Sequence, residues 1–164
     1  MNSEVRRILE AVRSGGLDVD DALLKLKEKP FEDIGYAKVD LHRKVRQGAA
    51  EVIYGAGKTA EQITGIVTAM KNGGQDTILI TRLSPEAAAQ VGQTHALDYH
   101  PDARAGVVGK LPPADGLGTI VIATGGTSDI PVAEEAALTA QILGNHVTRL
   151  YDVGVAGLHR TLAH

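Results

Sequence analysis

Apolar residues first recur at helical spacing. Val5, Ile8, Leu9 and Val12 fall on one face of a helix predicted from Ser3, its N-cap, to Arg13. Ser14-Gly15-Gly16 stops it, and a second helix follows from Asp18, carries Ala22, Leu23 and Leu26, and is closed by Pro30. Charges of both signs mark this pair, residues 1–30, as a solvated hairpin. The pattern then changes. Tyr36–Asp40 and Glu51–Tyr54 read as strands on either side of the basic segment His42-Arg43-Lys44-Val45-Arg46. Thr59 to Met70 reads as a helix with Thr59 as cap and Gln62 reaching back to it. Thr77–Thr81 is a buried strand by its β-branched content, and Ser84-Pro85-Glu86 opens a helix running through Val91. Weaker strands are expected around His95–Tyr99 and Ala105–Val108. Residues 31–112 thus form a small α/β domain, and Leu111–Gly116 is a linker candidate.

Beyond it, Thr119-Ile120-Val121-Ile122-Ala123 is an uninterrupted apolar strand, which predicts burial on both faces of a parallel sheet. The turn Thr124–Asp129 leads into a helix from about Ile130 to Leu143, with Val132, Ala136, Ala140 and Leu143 on one side. Gly144-Asn145 ends it, and His146–Tyr151 is the next strand. This is a βαβ unit with an expected right-handed crossover. The fold class is α/β: the small domain is followed, over residues 113–164, by the start of a three-layer parallel-sheet, Rossmann-like domain. One βαβ unit cannot cover both faces of such a strand, so the chain reads as a fragment or truncated piece with more strands and helices expected downstream.

Composition narrows the functional classes. A formal net charge of −3 gives no electrostatic footprint for nucleic acid, and no Lys/Arg run points to a membrane surface. The sequence contains no cysteine, which excludes disulfides, thiolate metal sites and a thiol nucleophile within it. The six histidines show no metal-ligand spacing, so no metal ligand is assigned. The N-terminus lacks an apolar signal segment, and a cytoplasmic location is the default.

Ligands of open parallel sheets bind outside the carboxyl ends of the strands, and two loops here leave such ends. In the first, Gly125-Gly126-Thr127-Ser128-Asp129, the glycines allow positive φ and close backbone approach, and the following helix offers free N–H groups to an anion, in particular a phosphate. Ser128 can donate to it, and Asp129 can bind a ribose hydroxyl or act as a base. The plainer alternative is that Ser128 or Asp129 caps the helix, with Pro131 in its first turn. Glu134 and Glu135 suit the helix dipole and read as structural. The second loop is Asp152-Val153-Gly154-Val155-Ala156-Gly157-Leu158-His159-Arg160. His159 can shuttle protons near neutral pH, and Arg160 can hold a carboxylate or phosphate through two hydrogen bonds. Against this stand a loop cap at Asp152 and a surface ion pair at Arg160. Gly55-Ala56-Gly57-Lys58-Thr59 lacks the first glycine of a P-loop, having Val52 there, and reads as a tight turn with a capping threonine. Arg43, Arg46 and Lys58 read as a solvated face.

The segment Gly126-Thr127-Ser128-Asp129-Ile130-Pro131-Val132-Ala133-Glu134-Glu135-Ala136, with Asp152 to Arg160, resembles the LarB family. So do Asp33 to Asp40, Arg43, Arg46, Gly48, Glu51 to Gly55, Lys58-Thr59 and Thr81-Arg82. That family's C-terminal domain is related to the PurE aminoimidazole ribonucleotide carboxylases. The resemblance implies a PurE-like domain in which Gly126, Thr127, Ser128, Asp129, Gly154, Gly157 and Arg160 bind a nucleotide, and Asp129, Asp152, His159 and Arg160 carry the catalytic roles. It implies carboxylation of the pyridinium ring of nicotinic acid adenine dinucleotide and release of AMP, in nickel-pincer cofactor biosynthesis. Carbon dioxide or bicarbonate is the expected co-substrate, magnesium is allowed for, and a homo-oligomer, an octamer in the family, is expected without nucleic acid or membrane partners. The family's nucleophilic cysteine has no counterpart in these 164 residues, so this chain alone is expected to be inactive. The alternatives are an aminoimidazole ribonucleotide carboxylase-like enzyme of purine biosynthesis, a nucleotide-binding module with Asp152 as ribose acid, and an assembly domain without catalysis.

Overall fold

A computed structural model describes residues 3–28, 31–41, 43 and 51–163. Pro30, Gly48 and most of the basic segment (His42, Lys44, Val45 and Arg46) lie outside the described residues. The protein is mixed α/β, and its contacts divide it into two compact units. One comprises Met1–Glu51 with Gly65–Gln75, the other Val52–Thr64 with Asp76–His164.

In the first unit, helices α1 (Ser3–Arg13) and α2 (Val19–Glu28) pack as a hairpin. Gly15, at φ +74°, ends α1, and Asp18 caps α2 by accepting the Asp20 N–H at 2.8 Å. Ala22 is buried while Leu9, Leu23 and Leu24 are exposed, as a solvated pair requires. Strands β1 (Phe31–Asp33) and β2 (Lys38–Asp40) form an antiparallel hairpin closed by Ile34 N–H donating to Ala37 O. β2 is the C-terminal part of the strand expected from Tyr36, because Gly35 at φ +88° puts Tyr36 in the turn. β1 was not legible: its three residues are all exposed and carry no alternation.

The second unit holds a four-stranded mixed sheet of order β3-β4-β6-β5, built from β3 (Ile53–Tyr54), β4 (Ile78–Thr81), β5 (Leu97–His100) and β6 (Ala105–Val108). β3 and β4 are parallel, with Ile53 opposite Ile80, while β6 runs antiparallel to both β4 and β5. Helix α3 (Ala60–Asn72) begins with the expected reciprocal cap: Gln62 N–H donates to Thr59 Oγ1 at 3.2 Å, and Thr59 N–H donates to Gln62 Oε1 at 3.0 Å. Helix α4 (Pro85–Thr94) starts at Ser84, whose hydroxyl accepts the Ala87 N–H. Ile78, Leu79, Ile80 and Leu83 are fully buried.

The same unit contains a parallel pair, β7 (Thr119–Ala123) and β8 (His146–Leu150), connected by α5 (Ile130–Ile142). Leu138 of α5, with Ile142 beside it, packs on Leu79, Ala103, Ala105 and Val107, so one apolar cluster joins residues on both sides of Leu111–Gly116. Two expectations fail here. β7 is not buried on both faces: Ile120 and Val121 are 41% and 56% exposed. Among the described residues β7 hydrogen-bonds only to β8, which leaves its other edge and much of its surface uncovered. The buried face of α5 is Ala133, Ala137 and Leu138, whereas Val132 and Leu143 are exposed. The helix is apolar nearly all round, so periodicity could not choose between adjacent faces.

Candidate functional site

The carboxyl ends of β7 and β8 are neighbours because the strands are parallel and in register, Ala123 opposite Leu150. The loops that leave them stay together. Thr124 N–H donates to Leu150 O at 2.9 Å, Asp152 N–H to Thr124 Oγ1 at 3.0 Å, and Val153 N–H to Thr124 O at 2.9 Å. A methyl group on Gly154 would run into the Gly125 carbonyl oxygen, so the two glycines bring backbone against backbone.

The glycines of the first loop act through this absence of a side chain and not through positive φ. Gly126 is extended at φ −147°, and neither it nor Gly125 is left-handed. A 3-10 turn over Thr127–Asp129 leads into α5. Neither Thr127 nor Ser128 caps the helix, and both are exposed. Asp129 reaches back to accept the Gly126 N–H at 3.2 Å, and the residue is exposed.

In the second loop Asp152 stands at φ +57°, a left-handed conformation that costs a non-glycine residue on the order of 1 kcal/mol, although aspartate tolerates it better than most. Its carboxylate takes a 2.6 Å ion pair from Arg160 Nη1, and Arg160 Nη2 lies 3.5 Å from Gly154 O, at the long limit of a hydrogen bond. Thr161 Oγ1 donates to Val153 O and ties α6 (Leu158–Leu162) to the loop. Asp152 and Arg160 are thus mutual partners, Gly157 lies against the His159 and Arg160 side chains, and His159 is exposed. Arg160 is partly exposed.

Glu134 and Glu135, read as structural, are both engaged. Glu135 pairs with Arg82, a left-handed residue at φ +52°, at 3.1 Å. Glu134 accepts the Tyr151 hydroxyl and, with both carboxylate oxygens at 3.1 and 3.2 Å, the single Arg149 Nε–H, while Arg149 Nη2 donates to Gln141. Burial pushes the Glu134 carboxyl up, but hydrogen bonds from Tyr151 and Arg149 and the charge of Arg149 outweigh it and hold it below the usual glutamate range. Burial and the bond to Glu134 push the Tyr151 phenol up. This cluster ties the N-terminal half of α5 to the end of β8. Sequence reasoning passed over Thr124, Arg149 and Tyr151; the legible signal was a single polar residue, Thr124, closing an apolar strand.

The arrangement is that of a mixed α/β protein whose parallel strand ends carry two abutting polar loops. Residues 31–110 match the model of the LarB/PurE-like N-terminal domain, which supports the resemblance to the LarB family. It is also 33% identical over 172 residues to an uncharacterised protein of Methanocaldococcus jannaschii, a match that takes in 98% of this chain. The chain spans 65% of that relative's length. The family match ends ahead of both loops, while the archaeal match extends over nearly the whole chain.

Proposed function

We propose that the two loops form the nucleotide site of a carboxylase acting on nicotinic acid adenine dinucleotide, adding carbon dioxide to its pyridinium ring and releasing AMP. The observation that carries this reading is the weld between the loops through Thr124 and the Gly125–Gly154 contact, which sets an exposed Thr-Ser-Asp turn beside an Asp–Arg pair. In this reading Gly126, Thr127 and Ser128 hold phosphate, Asp129 a ribose hydroxyl, and Arg160 the ring carboxylate, with Gly154 and Gly157 giving close backbone approach. Asp152 orients Arg160, and His159 moves protons. A pyridinium carbon is electron-poor, so a nucleophile must first add to the ring. The new carbon–carbon bond then forms on carbon dioxide, the ring proton leaves to a base, and the nucleophile departs as aromaticity returns. Water cleaves the phosphoanhydride, which yields AMP.

The family's thiolate nucleophile is not among these residues, so this chain supplies binding and orientation. Among the described residues no cluster of three or more His, Asp or Glu is placed to hold a metal, and no step is assigned to magnesium. No helix of the described residues is long and apolar enough to cross a membrane. Carbon dioxide or bicarbonate is the co-substrate, and a homo-oligomer the working state, in the same reading. The test is incubation of the protein, in a form spanning the full length of its archaeal relative, with nicotinic acid adenine dinucleotide and labelled bicarbonate. Acid-stable label in a mononucleotide, matched by AMP, is expected. Binding of the dinucleotide with neither label nor AMP would leave a nucleotide-binding module instead.

A further inference from the structure

Thr124 is the only polar residue among the buried described residues, at 4% exposure. A buried hydroxyl is costly unless it is hydrogen-bonded, and at the end of an apolar strand a valine would fill the same shape without that cost. The hydroxyl therefore needs a reason, and its geometry supplies one. Thr124 bonds the end of β8 once, at Leu150 O, and the second loop twice, at Asp152 N and Val153 N, and two of the three are ordinary backbone bonds that valine would keep. Only the Oγ1 bond reaches Asp152, the one residue of this loop in the left-handed region. That backbone turn points the Asp152 carboxylate at Arg160.

We infer that Thr124 is a positioning residue: by accepting the Asp152 N–H it holds the turn that aims Arg160, and so sets the site's preference for a ring bearing a carboxylate over one bearing a carboxamide. The inference rests on the dinucleotide reading above and assigns the origin of its ring selectivity. Thr124 touches no ligand in this account and acts through Asp152 and Arg160.

The test compares the affinities of nicotinic acid adenine dinucleotide and nicotinamide adenine dinucleotide, measured by calorimetry on the wild-type chain and on Thr124→Ser, Thr124→Val and Thr124→Ala. The wild type should prefer the carboxylate form, and Thr124→Ser should keep that preference. Thr124→Val should lose about tenfold in affinity for the carboxylate form, the scale of one charge-assisted hydrogen bond, with the amide form unchanged within about twofold. If the valine variant does not fold, Thr124→Ala must show the same selective loss. Equal losses for both dinucleotides would mark a merely structural threonine and overturn the inference, as would an unchanged preference in the hydroxyl-free variants or equal wild-type affinities. A wild type that binds neither dinucleotide takes down the functional reading itself, a pattern distinct from the others.

Discussion

Two parallel strand pairs in the second unit end in polar loops that use their hydroxyl side chains differently. After β3 and β4, left-handed Arg82 pairs with Glu135 while the other polar side chains serve the backbone. Lys58 Nζ donates to Tyr54 O, Thr59 and Gln62 cap α3 reciprocally, and Ser84 caps α4. After β7 and β8, Thr127 and Ser128 cap nothing and lie exposed, while a left-handed Asp152 is spent on holding Arg160. A capping residue contributes about 1 kcal/mol to stability. Polar groups left out of that role, on loops braced by a rigid frame, are where binding is expected. The comparison separates the structural reading of such loops from the functional one on grounds that composition alone does not provide.

The largest effect that should divide the two pairs is in the strands themselves. Ile80→Ala in buried β4 should cost roughly 2–5 kcal/mol by chemical denaturation, whereas Ile120→Ala in exposed β7 should cost well under half as much. Equal costs would mean that β7 is covered in solution. Next come the glycines. A methyl group at Gly55 would sit 2.8 Å from Thr81 O, and one at Gly154 would strike Gly125. Both Gly55→Ala and Gly154→Ala should destabilise by about 1–3 kcal/mol, but only the second should weaken dinucleotide binding in a titration.

Smaller still is the contrast between caps. Thr59→Ala should lower stability by about 1 kcal/mol, and Ser128→Ala should leave it within about 0.5 kcal/mol while weakening nucleotide affinity. The smallest effect is acidic. Because Glu134 titrates lower in the folded protein than in the unfolded chain, its contribution is complete above the ordinary glutamate range and is lost as pH falls through the folded value. The stability difference between wild type and Glu134→Gln should therefore shrink below roughly pH 4. For Tyr151 the sign reverses: its raised pKa favours folding below the ordinary phenol range, and that support is lost as pH rises through the folded value.

Much of the frame was legible because local chemistry decided it. Thr59 with Gln62, Ser84 with Pro85, and Gly144 after α5 set element ends through bonds within a few residues. What sequence could not give depended on partners distant in the chain. The three-residue β1 exists through its pairing with β2, the inner face of α5 is chosen by Leu79 and Val107, and the exposure of β7 reflects which strands stand beside it. The two loops were identified from their residues, but their weld was not, since the Asp152–Thr124 bond joins positions 28 apart.

The central claim is that the abutting loops grip one ligand between them. A double-mutant cycle on Ser128→Ala and Arg160→Gln, read as binding of nicotinic acid adenine dinucleotide by calorimetry, tests it directly. Each variant is predicted to lose roughly tenfold or more in affinity with its fold intact. Wild-type affinity in both variants would contradict the claim and leave the two loops as structure alone.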